Sequence, residues 1–276
     1  MREGHAAEPQ VSVIVPFYVG LKELECTLAG LDAQSLDTPP FEVIIAEDGS
    51  PFSPRHLTHE FARLQMRFVR IQRNGYRLAT ARNEAVLQAR PIVLMLDFDC
   101  VPKPEHVLTH MRALSADVWA VTVGLRRFVD ARQLSGGTIE AGGPWWDSLH
   151  DIESISNPGS VIDKRTHLLE RISEFPYPCN LFHGCNVGFW RDAAMDVGMF
   201  DERFNGAHGY EDIEFAYRLQ RQGARFTFVD APVFHLENQV VDVKARWHGR
   251  KRNLALLGQL CPDLIVHRRK VARVVM

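Results

Sequence analysis

The sequence predicts an α/β fold built on a mainly parallel, doubly wound sheet. Three observations carry that expectation. Short apolar runs alternate with stretches of helical periodicity through the first hundred residues, which is the rhythm of successive β-α-β units. The run Ile92-Val93-Leu94-Met95-Leu96 has no polar alternation, as in a strand buried on both faces. Turn-forming and acidic residues follow several runs directly, and open parallel sheets bind ligands at the carboxyl ends of their strands.

The elements follow in order. Val11 to Val15 is a strand, ended by Pro16. Leu21 to Gln34 has helical spacing, with Leu21, Leu24, Leu28 and Leu31 on one face. Phe41 to Ala46 is the next strand, closed by the turn signal Glu47-Asp48-Gly49-Ser50. A short helix near Pro54 to Leu64 leads to a third strand, Phe68 to Ile71. Leu78 to Ala89 reads as a helix, followed by the strand that runs into Asp97-Phe98-Asp99. Val118 to Val123 is a further strand. Residues 135–178 are rich in Gly, Pro, Ser and acids, with a modest helical pattern from Lys164 to Ile172. They read as a mobile lid, hinged at Gly136-Gly137 and Gly142-Gly143. Order returns with a short helix at Arg191 to Val197, a helix at Glu211 to Gln222 stopped by Gly223, and a strand at Phe226 to Val229.

The chain has 276 residues, enough for one large domain or two fused halves. It reads as a single domain with a ligand-binding half at 11–125, a second half at 126–237 and a basic tail at 238–276. The net charge of −2 gives no argument for nucleic acid. Five cysteines without C-x-x-C spacing speak against a disulfide framework or structural zinc and for a reducing cytosol. Residues 1–10 lack an apolar signal core, and no apolar stretch nears the roughly 20 residues of a membrane span. A cytoplasmic location is therefore expected. Lys244, Arg246, Arg250, Lys251, Arg252, Arg268, Arg269, Lys270 and Arg273 make the end of the chain basic. They read as a solvated helix face, or as a patch drawn to the inner face of an anionic membrane or to an acidic acceptor.

Asp97-Phe98-Asp99 is the most informative stretch. A carboxylate at the end of a buried strand is costly unless paired or bound to metal. If strand geometry persists, Asp97 and Asp99 share a face and can converge on one divalent cation through hard oxygen ligands. Three such residues recur by chance in many proteins; their place in an ordered series is what raises them.

That series is Val-Ser-Val-Ile-Val-Pro-Phe-Tyr (11–18), Glu-Asp-Gly-Ser (47–50), Ala-Arg-Asn (81–83) and Asp-Phe-Asp (97–99). It resembles the nucleotide-sugar half of family 2 glycosyltransferases of the GT-A fold. The block from Gly75-Tyr76-Arg77-Leu78 to Asp99-Cys100 is similar to bacterial chondroitin-synthase modules, as is Gly-Tyr-Glu-Asp-Ile-Glu-Phe-Ala-Tyr-Arg-Leu (209–219) followed by Phe234-His235-Leu236-Glu237. This second half also resembles the C-terminal part of β-1,4-galactosyltransferases. The matches cover residues 11 to 237, with the lid segment unmatched.

The resemblance implies an inverting, metal-dependent transfer of a hexose or N-acetylhexosamine from a UDP-sugar. It places uridine at Pro16, Tyr18 and Asp48, where Tyr18 stacks on uracil and Asp48 accepts from its ring N–H. Arg77 and Arg82 are implied at the diphosphate or uridine. Asp97 faces the ribose and the metal's water shell, Asp99 ligates Mn²⁺ (or Mg²⁺), and His235 supplies a further ligand. Gly184 and Asn186 line the sugar and acceptor side, and Trp145-Trp146 offers the lid a stacking surface. Of the acids opening the 211–222 helix, the resemblance makes Asp212 the general base and gives Glu211 the orientation of a sugar. Acids in a first helical turn are also favoured by the macrodipole alone, and a histidine among apolar residues is often structural. The chain departs from the family at Glu47, where Asp is usual, at Val19, where Asn is common, and at His208-Gly209-Tyr210, where related enzymes carry Trp-Gly-Gly.

The acceptor implied is a glycan, a glycolipid, a soluble metabolite or a peptide. Two rival readings are a nucleotidyltransferase that makes nucleotide-sugars and a sugar-nucleotide or glycan-binding module without catalysis. The first wants a Gly-rich basic loop after the first strand, and Val15-Pro16-Phe17-Tyr18 is none. The second is opposed by intact Asp97, Asp99, Asp212 and His235. UDP release with candidate donors separates all three.

Overall fold

The computed structural model of the chain describes residues 10–115, 117–140, 143–153, 163, 165–237 and 243–274, with side chains omitted for 243–248 and 269–274. The expected polar start before Gln10, Gly142 of the hinge, Lys164, and the side chains of Lys244, Arg246, Arg269, Lys270 and Arg273 lie outside the described residues.

The strands are β1 (Val11–Phe17), β2 (Phe41–Asp48), β3 (Gln65–Ile71), β4 (Ile92–Leu96), β5 (Cys100–Pro102), β6 (Ala120–Asp130), β7 (Asn186–Trp190) and β8 (Arg225–Glu237). The helices are α1 (Leu21–Asp32), α2 (Leu57–Glu60), α3 (Leu78–Leu87), α4 (His106–Leu114), α5 (Gly136–Glu140), α6 (Thr166–Leu169), α7 (Arg191–Asp196), α8 (Glu211–Arg221), α9 (Val243–Leu260) and α10 (Pro262–Val274). All eight strands join one sheet in the order β3-β2-β1-β4-β7-β6-β8-β5.

The sheet is parallel through β3, β2, β1 and β4, as the alternation of runs and helices predicts. Every residue of β1 and β4 is buried. Their alternate side chains feed two separate cores: Ile14, Val93 and Met95 go to one face, Val13, Leu94 and Leu96 to the other. Each fully buried apolar side chain contributes roughly 1.5–3 kcal/mol. Two features of the sheet were not legible. Strand β7 runs antiparallel between β4 and β6, and β5 runs antiparallel beside β8.

Register decides what meets. Phe17 lies opposite Glu47 in the β1–β2 ladder, and Ile14 opposite Met95 in the β1–β4 ladder. Tyr18, Asp48 and Asp97 therefore emerge along one edge. Leu96 pairs with Asn186, so the chain enters β7 through Gly184 and Cys185 where β4 departs. Cys100 pairs with His235, and the Leu236 N–H donates to the Asp99 carbonyl at 2.7 Å.

The lid expectation meets a different packing. Ile139, Trp145 and Leu149 are buried in the core beside Val233 and Phe234. Trp145 sets its ring edge-on to Phe234 at 5.4 Å between centroids. In the basic end of the chain, residues 243–274 form α9 and α10, two helices packed on the body of the fold through Leu257, Cys261 and Leu264, with Lys251 and Arg252 exposed. Asn253, fully buried, donates to the carbonyls of Phe204, Ala207 and Gly209 at 3.2, 3.0 and 2.9 Å. Arg252 donates to the carbonyls of Asn205 and Arg203. The helix thereby fixes the loop that leads into α8.

Candidate active site

A cleft of about 600 Å³ opens along the carboxyl ends of β1, β2 and β4. It gathers Pro16, Tyr18, Asp48, Arg82, Asp97, Asp99, Gly184, Glu211, Asp212 and His235 from separate elements.

One end is built by β1, β2 and the segment before α3. Gly49 takes the left-handed region at φ 59, and a Cβ there would lie 2.5 Å from the Arg73 Cα, so the turn after Asp48 admits little else. The Arg77 N–H donates to Asp48 Oδ2 at 2.7 Å. Arg73 Nη1 lies 3.3 Å from the same oxygen, and its guanidinium stacks 3.9 Å over the Tyr18 ring. Asp48 Oδ1 is buried with no hydrogen-bond partner. Burial pushes this carboxyl above its ordinary pKa, against the pull of the Arg77 N–H and the Arg73 charge.

The centre is organised by Arg82, which is 2% exposed. It donates to Glu211 Oε1 at 2.9 Å and to Asp97 Oδ1 at 3.4 Å. Burial works against its charge, yet Glu211, Asp97 and Asp212 together hold its pKa raised. A Cβ on Gly184 would lie 2.6 Å from Arg82 Nη2, so this position has to be glycine for the cation to sit there. Its neighbour Asn83 turns the other way on α3 and exchanges two hydrogen bonds with the Phe200 backbone, each 2.9 Å.

Beyond Asp97, whose side chain is 34% exposed, the strand pairing brings Asp99 Oδ1 within 3.7 Å of His235 Nε2. Asp99, Cys100 and His235 each offer a ligand atom, all within 4.8 Å of one another. Glu237 Oε1 lies 3.5 Å from His235 Nδ1 and so backs the imidazole from the far side. The Asp99 carboxylate and the His235 imidazole suit Mn²⁺, while burial keeps the Cys100 thiol protonated and so a poor ligand.

At the acid pair, Glu211 is 4% exposed and its Oε2 has no partner. Burial, then the adjacent Asp212 charge, pushes its carboxyl up to about 7. Asp212 is more open to the cleft. Its Oδ2 accepts from the Gly184 N–H at 3.1 Å and its Oδ1 from the Ile213 N–H at 2.8 Å.

Four expected residues do not line the cleft. The Arg77 guanidinium reaches the Gln72 carbonyl and Thr80, both at 3.4 Å. Asn186 is fully buried, donates to the Leu125 and Ala231 carbonyls, and meets His110 Nε2 at 2.9 Å. Trp145 and Trp146 anchor their turn, with Lys103 Nζ over the Trp146 ring at 5.2 Å. Arg73, Tyr76, Arg126, His208, Arg250 and Arg268 do line it. Tyr76 and Glu237 sit inside the motifs given above; Arg250 and Arg268 belong to the basic end of the chain, and Arg126 carries no local pattern.

Comparisons with known proteins give the family and the fold. The family described as glycosyl transferase family 2 matches residues 12–198, and the one described as the N-terminal domain of galactosyltransferase matches 164–239. Chondroitin synthase of Pasteurella multocida (strain Pm70) is 30% identical over 239 residues, 82% of this chain and 25% of that protein. Chondroitin synthase of Escherichia coli is 29% identical over 274 residues, 95% of this chain and 40% of its own length. Validoxylamine A glucosyltransferase of Streptomyces hygroscopicus subsp. jinggangensis is 29% identical over 79% of this chain and 53% of its own. The chain thus spans a quarter to about half of these relatives. A mannosyltransferase from Pyrobaculum calidifontis, solved with GDP-Man and Mn²⁺, superposes with a TM-score of 0.59 at 18% identity, covering 90% of this chain and 62% of that one. GalNAc-T7, solved with UDP, GalNAc and Mn²⁺, does so with a TM-score of 0.58 at 18% identity, covering 83% and 44%. The fold is GT-A, and the chain belongs to glycosyl transferase family 2.

Proposed function

We propose that the chain transfers a hexose or N-acetylhexosamine from a UDP-sugar to an acceptor hydroxyl, with inversion and with a divalent cation. The observation that carries this reading is convergence. The unpartnered Asp48 Oδ1, the Asp99–His235 pair and the Glu211–Asp212 pair line one cleft.

Asp48 Oδ1 suits the ring N–H of uracil, since a buried acceptor gains most from a donor. Arg73 covers a face of Tyr18, so stacking of the base there requires Arg73 to swing aside or the opposite face to be used. Asp99 and His235 would hold Mn²⁺ (or Mg²⁺), with Asp97 in reach of its water shell. The cation, when bound, would neutralise charge developing on the departing diphosphate. Arg82 adds a fixed positive charge at the same centre, pre-set by Glu211 and Asp97.

Asp212 is the proposed base. Two backbone N–H groups orient its carboxylate, and each oxygen keeps a lone pair for the acceptor O–H. As Asp212 takes the proton, the acceptor oxygen would bond to the anomeric carbon while that carbon's bond to the UDP oxygen breaks, a single displacement with inversion. Glu211, held by Arg82 and with one buried oxygen unfilled, is placed to bind a sugar hydroxyl.

UDP release with a panel of UDP-sugars and Mn²⁺ tests the reading. Release should stop on chelation and fall sharply in Asp99→Ala. Full activity in both conditions would remove the metal assignment. Tighter binding of GDP than UDP in a calorimetric titration would remove the uridine assignment.

A further inference from the structure

Tyr210 immediately precedes the acid pair and adopts φ 75, ψ −8. Among the described residues it is one of two non-glycine residues at positive φ, and a bulky side chain there is strained. Two guanidinium groups flank its ring. Arg250 on α9 and Arg268 on α10 each place Cζ 5.5 Å from the ring centre, within the range of a cation–π contact.

Both arginines line the cleft, and among the described residues neither forms an ion pair with a carboxylate. Arg268 Nη1 is buried with no hydrogen-bond partner. Asp263, five residues before Arg268 on α10, is taken by the hydroxyls of Tyr217 and Tyr177 at 2.6 and 3.1 Å. Tyr210 directly precedes Glu211 and Asp212 at the start of α8, so the two arginines on its ring stand beside the acid pair proposed to act on the acceptor hydroxyl.

We infer that Arg250, Arg268 and Tyr210 form an anion-recognising subsite for the acceptor, so that the acceptor sugar carries a carboxylate or a phosphate near its reacting hydroxyl. The inference rests on the transferase reading of the same cleft. Guanidinium matches either anion with paired N–H donors. Stacking against Tyr210 fixes both arginines beforehand, which lowers the ordering cost of binding. An anion would also supply the partner that Arg268 Nη1 lacks.

The test is a calorimetric titration of the protein saturated with UDP and Mn²⁺. The probes are methyl β-glucuronide, its uncharged methyl ester and methyl glucoside 6-phosphate. At least one anionic probe should bind roughly tenfold or more tighter than the ester, about 1.4 kcal/mol; the better of the two identifies the anion. The preference should vanish in Arg250→Gln/Arg268→Gln, persist in part in the double lysine variant, and leave UDP affinity unchanged. Equal binding of all three probes, or no binding of any, overturns the inference. So does a double variant that loses UDP affinity instead, because the arginines would then serve the donor. If the double glutamine variant does not fold, Arg268→Lys alone decides through the same ratio. Failure of the wild-type protein to bind UDP would refute the transferase reading, and the probe ratio measured without UDP would still score the arginine pair.

Discussion

At the scale of single residues, the two acids of the pair differ in what surrounds them. Asp212 is oriented by backbone amides and faces the cleft; Glu211 is buried against Arg82. Asp212→Asn should keep UDP affinity and lower turnover by roughly 10²–10⁴-fold, the range for lost acid–base catalysis. Near wild-type transfer by Asp212→Asn, with a folded but inactive Glu211→Gln, would reverse the assignment. Glu211 also makes a stability prediction. Its folded pKa is raised from 4.5 to about 7, so the folded state holds this proton longer than the unfolded chain does. Its contribution is therefore present at low pH and lost as pH rises from 4.5 through about 7. Urea unfolding at about pH 5 and about pH 8 should show a smaller decline with pH in Glu211→Gln than in the wild type; an unchanged decline would contradict the burial argument.

At the scale of elements, two contacts hold the cleft in shape. Gly184 brings β7 against Arg82. Gly184→Ala should leave the sheet intact but push the guanidinium off Glu211 and Asp97, weakening UDP binding in Mn²⁺ while far-UV dichroism stays constant. Asn253 ties α9 to three carbonyls of the 204–209 loop. Asn253→Ala leaves those buried acceptors without their donor and should cost about 1–3 kcal/mol in urea unfolding. Amide exchange should quicken in the 204–210 loop first, and quickening confined to the sheet would contradict the clamp. The motif at 81–83 could be read in the sequence because its arginine and asparagine lie side by side in it. Their division of labour could not, since adjacent helical residues point about 100° apart and only the packing says which way is inward.

At the scale of the whole molecule, α4 carries a buried polar pair into the sheet. His106 and His110 lie 4.7 Å apart between ring centroids, and His110 meets Thr122 and Asn186 at 2.8 and 2.9 Å. Burial holds His106 well below the ordinary histidine range and lowers His110 to about 4. Both are neutral when folded, so the unfolded chain takes up their protons first. Stability is present above about pH 6.5 and lost as pH falls towards about 4. His106→Leu should flatten that acid limb in a melting series; an unchanged limb would show that other groups drive acid unfolding. No helix of the described residues is long and apolar enough to cross a membrane.

By itself the sequence determined the alternation of strands and helices, the acids and turns at strand ends, and the family. These are local properties: apolar period, turn chemistry and short motifs lie within a few residues of one another. Tertiary structure decided the antiparallel entry of β7 that sets Gly184 against Arg82, and the β5–β8 pairing that brings His235 to Asp99. It also decided the burial of Asn186 and Trp145, both expected in the site, because a small polar or aromatic side chain shows no local sign of the face it will take. The two arginines on Tyr210 belong to the same class. They come from different helices, and long-range contacts between separate elements leave no periodicity in the chain.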